Sequence, residues 1–261
     1  MQRESRYDPE HSAMTNDHFS RKSGLYAQFR PGYPDAVFRW LAEQVPDRRC
    51  AWDSATGNGQ AAIGLADHFT QVIATDLSAR QLSRARQHPS IRYEVAPSEC
   101  APIDDDSVDL ILVAQALHWF DLPAFYEEVH RVGRERAVLA ALSYGLFRIE
   151  PRIDSLIAHL YDQVLGEYWP PERVHVENAY GDLPFPFPDI PTPVFDMRAH
   201  WDLDHLLGYL GSWSAVARCQ DLTGKDPLAE IAQLLREAWG PAEDKRRIQW
   251  PLQVKAGHIS R

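Results

Sequence analysis

The residues whose types and spacing invite chemistry begin at Asp53. In DSATGNG, Asp53 to Gly59, a carboxylate closes a short apolar run, and Gly57 and Gly59 follow it. Glycine tolerates positive φ and lets a ligand approach the backbone closely. GNGQAA, Gly57 to Ala62, also satisfies G-x-G-x-x-G/A, and Asp76 closes the next apolar run. A strand–loop–helix turn of this kind, with a second acid on the following strand, is built to hold a nucleoside-containing ligand.

Two ligands compete for that turn. A dinucleotide sets its pyrophosphate over the loop, at a helix N-terminus. The Asp53 carboxylate would repel it, and the long segment ahead of the first strand fits poorly with a dinucleotide domain. S-adenosylmethionine carries an ammonium and a sulfonium and no phosphate, so the same carboxylate suits it. Asp76 would then accept hydrogen bonds from both ribose hydroxyls. An NAD(P)-binding oxidoreductase and a non-catalytic S-adenosylmethionine-binding protein stay open as alternatives.

A second group of candidates follows the fourth apolar run, in QALHWF, Gln115 to Phe120. Gln115 falls where the methionine end of a ligand would rest, or is a plain loop residue. His118 reads as a general base of suitable pKa over an acceptor, or as a histidine packed among aromatics. Trp119, with Tyr209 and Trp213 of YLGSWSA, reads as acceptor wall or lid, or as core. Arg30 is placed to reach the cofactor or a substrate carboxylate, or is a surface arginine at a helix end.

The elements that must position these residues alternate. Strands are expected over Cys50–Asp53, Gln71–Asp76, Ile91–Val95, Val108–Val113 and Ala137–Leu142, with helices over Gln60–Phe69, Ser78–Arg86 and Leu122–Arg131 between them. In the first of these helices Ala62, Leu65, Ala66 and Phe69 share one face. Ser78 and Gln81 are spaced as a capping box. Regular alternation predicts an α/β, doubly wound, mainly parallel sheet. Ahead of it, residues 1–48 read as a leader with helices at His18–Phe29 and Asp35–Gln44. Residues 49–145 are the binding core.

Residues 146–261 read as a helical, aromatic-rich elaboration that also returns the last strands of a seven-stranded sheet. Helices are expected at Ile149–Leu165, Asp204–Ala217 and Pro227–Trp239, and strands at Pro193–Trp201 and Arg247–Gly257. The stretch from Gly166 to Pro188 reads as a loop, because alternate prolines forbid helix and central strand.

Composition narrows the function. The net charge is −10 and the one basic cluster is Lys245–Arg247, so a phosphate backbone finds no basic face. Cys50, Cys100 and Cys219 form no C-x-x-C pair, which gives a zinc site no support and fits a reducing cytoplasm. MQRESRYDPE at the start is polar, and the longest apolar run, Ala137 to Leu142, is too short to span a bilayer. A small-molecule partner is expected, without nucleic acid or membrane, for a monomer or homodimer. N/D-P-P-Y/F after the fourth strand and a Pro-Cys nucleophile are both missing, which points the same way.

DSATGNG resembles the D/E-x-G-x-G-x-G motif of class I S-adenosylmethionine-dependent methyltransferases. The likeness continues in order through ATDLS (Ala74 to Ser78), VAPSE (Val95 to Glu99), DSVDL (Asp106 to Leu110) and QALHWF. YAQFRPGYP, Tyr26 to Pro34, is similar to the leader of the type 11, trans-aconitate methyltransferase-like branch. The resemblance covers roughly residues 19–143. It implies a cofactor site of Asp53, Ala55, Thr56, Gly57, Gly59, Asp76, Leu77, Ser98, Glu99, Gln115, Tyr26 and Arg30.

Three departures stand out. Ala55 replaces the first motif glycine, which is harmless if its φ is negative. Pro97 replaces the acid that commonly takes the adenine amino group, leaving Ser98 or Glu99 for that contact. VGRE, Val132 to Glu135, replaces a Lys-Pro-Gly-Gly turn.

Overall fold

The computed structural model describes residues 29–260. Most of the helix expected at His18–Phe29, and Tyr26 with it, lies outside them. Among the described residues there are eight strands: β1 (Cys50–Ser54), β2 (Gln71–Asp76), β3 (Ile91–Val95), β4 (Val108–Ala114), β5 (Gly133–Tyr144), β6 (Met197–Trp201), β7 (Arg246–Trp250) and β8 (Leu252–His258). The α-helices are α1 (Asp35–Glu43), α2 (Gln60–Ala66), α3 (Ala79–Leu82), α4 (Leu122–Val132), α5 (Pro151–His159), α6 (Arg173–Glu177), α7 (Leu203–Gly211), α8 (Ser214–Thr223) and α9 (Ala229–Trp239).

The main sheet runs β3-β2-β1-β4-β5-β8. β1 to β5 are mutually parallel and β8 joins β5 antiparallel. Both faces are covered. Ala51, Val72, Ala74, Leu110, Leu112, Val138 and Ala140 pack on one side, against α1, α2 and the helices after β5. Trp52, Ile73, Ile111, Val113, Leu139 and Ala141 pack on the other, against α4. A strand buried on both sides reads as an unbroken apolar run, which is why β2 and β4 stand out in the sequence.

Helix ends follow local chemistry. Asp121 caps α4 by accepting from the Ala124 N–H at 3.3 Å. Ser78 caps α3 through the Gln81 N–H, although the helix is four residues, far shorter than the expected Ser78–Arg86.

The main sheet has six strands rather than the seven expected. β6 and β7 instead form a separate antiparallel pair. The expected last strand, Arg247–Gly257, is broken at Pro251, which has no N–H to offer a ladder. β7 before it serves the small sheet and β8 after it serves the main one. The expected helix Asp204–Ala217 also divides. Ser212 closes α7 with its hydroxyl donating to the Tyr209 carbonyl at 2.6 Å, and Trp213 is extended before α8 begins. The expected loop from Gly166 to Pro188 holds a 3-10 turn at Gly166–Tyr168 and the short helix α6. Its first half carries only the Pro170–Pro171 pair, ahead of the helix rather than inside it. Among the described residues no helix is long and apolar enough to cross a membrane.

Candidate functional site: the crevice between β1 and β4

β1 and β4 are neighbours, with Ser54 paired to Val113. The chain leaves β1 toward β2 on one side, while β4 and β5 lie on the other. This is the switch point of the sheet, where the connections diverge and leave a crevice. The glycine loop and the Gln115–His118 segment therefore open beside each other.

In the loop, Asp53 is fully buried. One of its oxygens takes the Thr56 hydroxyl proton in a short hydrogen bond, and Oδ1 is buried with no hydrogen-bond partner. Burial pushes its carboxyl up to about 7, against the lowering pull of the Thr56 hydroxyl and the nearby Ala62 N–H. Asp53 thus sits beneath the loop and braces it through Thr56. Ala55 has φ +55°, so the condition of a negative φ is not met and the methyl group sits in left-handed backbone at a cost of about 1 kcal/mol. The Thr56 N–H donates to the Thr75 carbonyl at 2.8 Å and tethers this strained turn to β2.

The two glycines both take positive φ but meet different surroundings. Gly57 has φ +58° and nothing within 4 Å of where a Cβ would stand, so the space above it is open. Gly59 has φ +81°, and a Cβ there would lie 2.5 Å from the Tyr93 hydroxyl.

Asp76 ends β2 and faces the same loop. Its Oδ2 accepts the Gly57 N–H at 2.8 Å and its Oδ1 the Ser78 N–H at 2.8 Å. Burial raises its pKa, opposed by those two hydrogen bonds. A carboxylate has about four lone-pair sites, so both oxygens can still accept from a diol. Leu77 beside it is an exposed apolar side chain. Ser98 is buried, taking the Ser54 hydroxyl proton at 2.7 Å. Glu99 accepts the Asp121 N–H at 3.2 Å, and burial raises its pKa.

Across the crevice a cavity opens. Gln115, His118, Trp119, Arg30, Tyr209 and Trp213 all line it, joined by Tyr144, Trp169, Arg173 and Ser212. The sequence alone scattered these candidates over nearly the whole chain, and folding gathers them. Gln115 takes φ +60° at the end of β4. Its N–H donates to the Leu142 carbonyl at 2.8 Å and its Nε2 to the Tyr144 carbonyl at 3.2 Å. Tyr209 and Trp213 are both buried in the core while facing the cavity, so wall and core are one role here. Arg30 is half-buried, its guanidinium 5.3 Å from the Tyr209 ring centre.

His118, read as a general base or as a histidine packed among aromatics, has its ring against Trp119 and Tyr180. Its Nδ1 lies 3.0 Å from the Tyr180 hydroxyl. Burial, then the charges of Arg173 and His175, push its pKa down to about 3. The imidazole is neutral at ordinary pH and its conjugate acid is disfavoured. In that neutral form it can meet a partner by hydrogen bonding.

Sequence reasoning missed Arg173, Trp169, Tyr180 and Tyr93. The first two sit in WPPERV, where a lone cation beside a tryptophan was the available signal. Tyr180 carried none, because only the fold brings it to His118. Among the described residues no group of three or more His, Cys, Asp or Glu could hold a metal. Cys50 is buried and its thiol is pushed up to about 11.

A mainly parallel sheet that ends β1 in an acid–glycine loop and β2 in a second acid defines a Rossmann-like nucleoside-binding enzyme. Comparison with known proteins carries this further. Residues 52–141 match a family described as a methyltransferase domain. A Dictyostelium discoideum protein named as a methyltransferase is 34% identical over 237 residues, covering 89% of this chain and 90% of its own. A solved structure from Anaeromyxobacter dehalogenans, titled a type II methyltransferase, is 49% identical with a TM-score of 0.83, covering 88% of this chain and 98% of its own. A Saccharomyces cerevisiae protein named as an S-adenosylmethionine-dependent methyltransferase is 28% identical over 47% of this chain and 45% of its own. The chain belongs to the class I S-adenosylmethionine-dependent methyltransferases.

Proposed function

We propose that the chain methylates a small-molecule acceptor held in the aromatic cavity beside Gln115. The methyl-transfer class follows from the family; the placement of the two ligands is our reading. One observation carries it. The glycine loop with Asp76 and the cavity with Gln115 open at the carboxyl ends of adjacent strands, so two ligands can meet over the switch point.

The residues fit an adenosine-bearing ligand. Gly57 leaves open backbone, Asp76 offers acceptor capacity to a ribose diol, and exposed Leu77 offers an apolar platform. Gln115 faces the junction of the two compartments, with Ser98 and Glu99 at the third-strand end. When bound, S-adenosylmethionine supplies an electrophilic methyl group on a sulfonium.

The chain's own residues then align and shield. Gln115, held at both its N–H and its amide, fixes the wall between the compartments. The rings of Trp119, Trp169, Tyr209 and Trp213 exclude water. His118 offers a neutral hydrogen-bonding group. Where the Tyr180 hydroxyl donates to Nδ1, the Nε2–H is left for the acceptor. Alignment in a dry site supplies much of the rate for an in-line displacement.

Calorimetry with S-adenosylmethionine and NAD tests the reading. We expect binding of the first alone, weakened on the order of tenfold or more in Asp76→Ala, the loss of about one charge-assisted hydrogen bond. Unchanged affinity in that variant would remove Asp76 from the site. The net charge of −10 favours a small acceptor over nucleic acid, and a monomer or homodimer is our reading of the assembly.

A further inference from the structure

Arg173 is the most informative residue in the acceptor cavity. Its guanidinium carbon lies over two rings, 5.1 Å from the centre of Trp169 and 5.5 Å from that of Tyr161. Its Nε donates to the Tyr161 hydroxyl at 2.7 Å, and that hydroxyl donates in turn to Glu177 at 2.6 Å. Trp169 is itself pinned, its Nε1 donating to the Tyr161 carbonyl at 3.0 Å. The arginine is thus pre-organised by its two ring contacts and by one nitrogen. Among the described residues its two terminal nitrogens have no hydrogen bond, and no carboxylate lies within ion-pair distance of it. A planar fork held in this way matches a carboxylate through its two end N–H groups.

The surroundings agree. The chain carries a net charge of −10, yet no Asp or Glu is among the described residues that line this cavity. Arg30 adds a second guanidinium on another wall. The Arg173 charge also acts on His118, helping to hold that imidazole neutral. Aromatic rings make up part of the lining: Trp169 and Trp213 lie 5.5 Å apart between ring centres, and Tyr209 is 6.0 Å from Trp213. A cationic acceptor would meet the like charge of Arg173.

We propose that the acceptor binds as an anion, a carboxylate on a flat, largely apolar body, with Arg173 as its charge partner and the indole rings as its walls. This rests on the reading of the cavity as the acceptor site of a methyltransferase. Arg173 is here a specificity-determining residue for the acceptor, and the atom that receives the methyl group is a separate matter.

The test separates the two readings. Wild-type protein is saturated with S-adenosylhomocysteine, which permits no turnover. Binding of 3-phenylpropanoate, 3-phenylpropanamide and 3-phenylpropylamine is then measured by calorimetry. The acid is expected to bind at least tenfold more tightly than the amide, and the amine more weakly than either. Arg173→Met should bring the acid to the level of the amide, and Arg173→Lys should retain part of the difference. In both variants S-adenosylhomocysteine affinity should hold within about twofold, which also reports that they fold. An amide or amine that binds as well as the acid, no binding of any of the three, or an acid preference that survives Arg173→Met would each overturn the proposal. Failure of S-adenosylhomocysteine to bind the wild type would instead overturn the methyltransferase reading of the crevice.

Discussion

At the scale of the residue, Asp53 shows a site group that works against stability. Its folded pKa of about 7 lies well above that of an unfolded aspartate, because burial disfavours the charge. The folded state therefore binds this proton more tightly than the unfolded one. The stabilising contribution is complete below the unfolded pKa near 4, and it is lost as pH rises through 7. Asp53→Asn keeps the shape and stays neutral throughout. It should match the wild type near pH 4 and exceed it at pH 8, by on the order of 1–4 kcal/mol. Thermal or urea unfolding at the two pH values checks this, and equal stability at pH 8 would show that the carboxylate is not strained there. The same variant loses the negative charge beneath the loop, so its affinity for a ligand carrying ammonium and sulfonium should fall. Ala55 is a second such residue, since its left-handed backbone is held by the loop against its own preference.

At the scale of the element, the glycine loop keeps its place because β1 is fastened at its other end. Asp109 on β4 is buried. Its Oδ2 accepts the Arg49 and Cys50 N–H groups at 2.8 and 2.9 Å, and its Oδ1 pairs with Arg134 on β5 at 2.8 Å. One carboxylate therefore ties three strands at the edge opposite the crevice. Asp109→Ala leaves two strand N–H groups and a guanidinium without it. We expect a loss of about 3 kcal/mol, read from denaturant unfolding, with ligand affinity of the surviving folded fraction unchanged. A loss below about 1 kcal/mol would mean the strands hold register without this tie. The remaining elements were legible to different degrees. β2 and β3 have the bounds their apolar runs predict. The long helix expected from Asp204 was not found as one piece, because helical spacing persists across Ser212 and Trp213 while the backbone turns.

At the scale of the whole molecule, the cap and the sheet share one core. Residues of α7, α8 and α9 pack in the same cluster as the β1, β4 and β5 face. Closing a ligand between them should stabilise the fold as a unit. At about 100 times its Kd, S-adenosylhomocysteine should add about 2.7 kcal/mol. For a chain of this size that raises Tm by roughly 5–10 °C, and NAD at the same concentration should leave it unmoved. Differential scanning fluorimetry reads both. Protection by NAD would return the glycine loop to a dinucleotide.

The division between what the sequence determined and what folding decided follows from the range of the interactions. The acid–glycine loop, the acid at the end of β2 and the order of strands and helices from β1 to β5 are local facts. They depend on residues a few positions apart and on apolar runs that must be buried on both faces, so one sequence suffices to read them. The acceptor cavity is different. Arg30, Gln115, His118, Arg173, Tyr209 and Trp213 come from segments with no common pattern, and only the packing of the later helices on the sheet brings them around one cavity. The neutrality of His118 is likewise absent from its neighbours in QALHWF. It comes from burial and from Arg173, a residue more than fifty positions away. The division of the last expected strand at Pro251, with β7 pairing β6 and β8 pairing β5, likewise shows only in the sheet pairing.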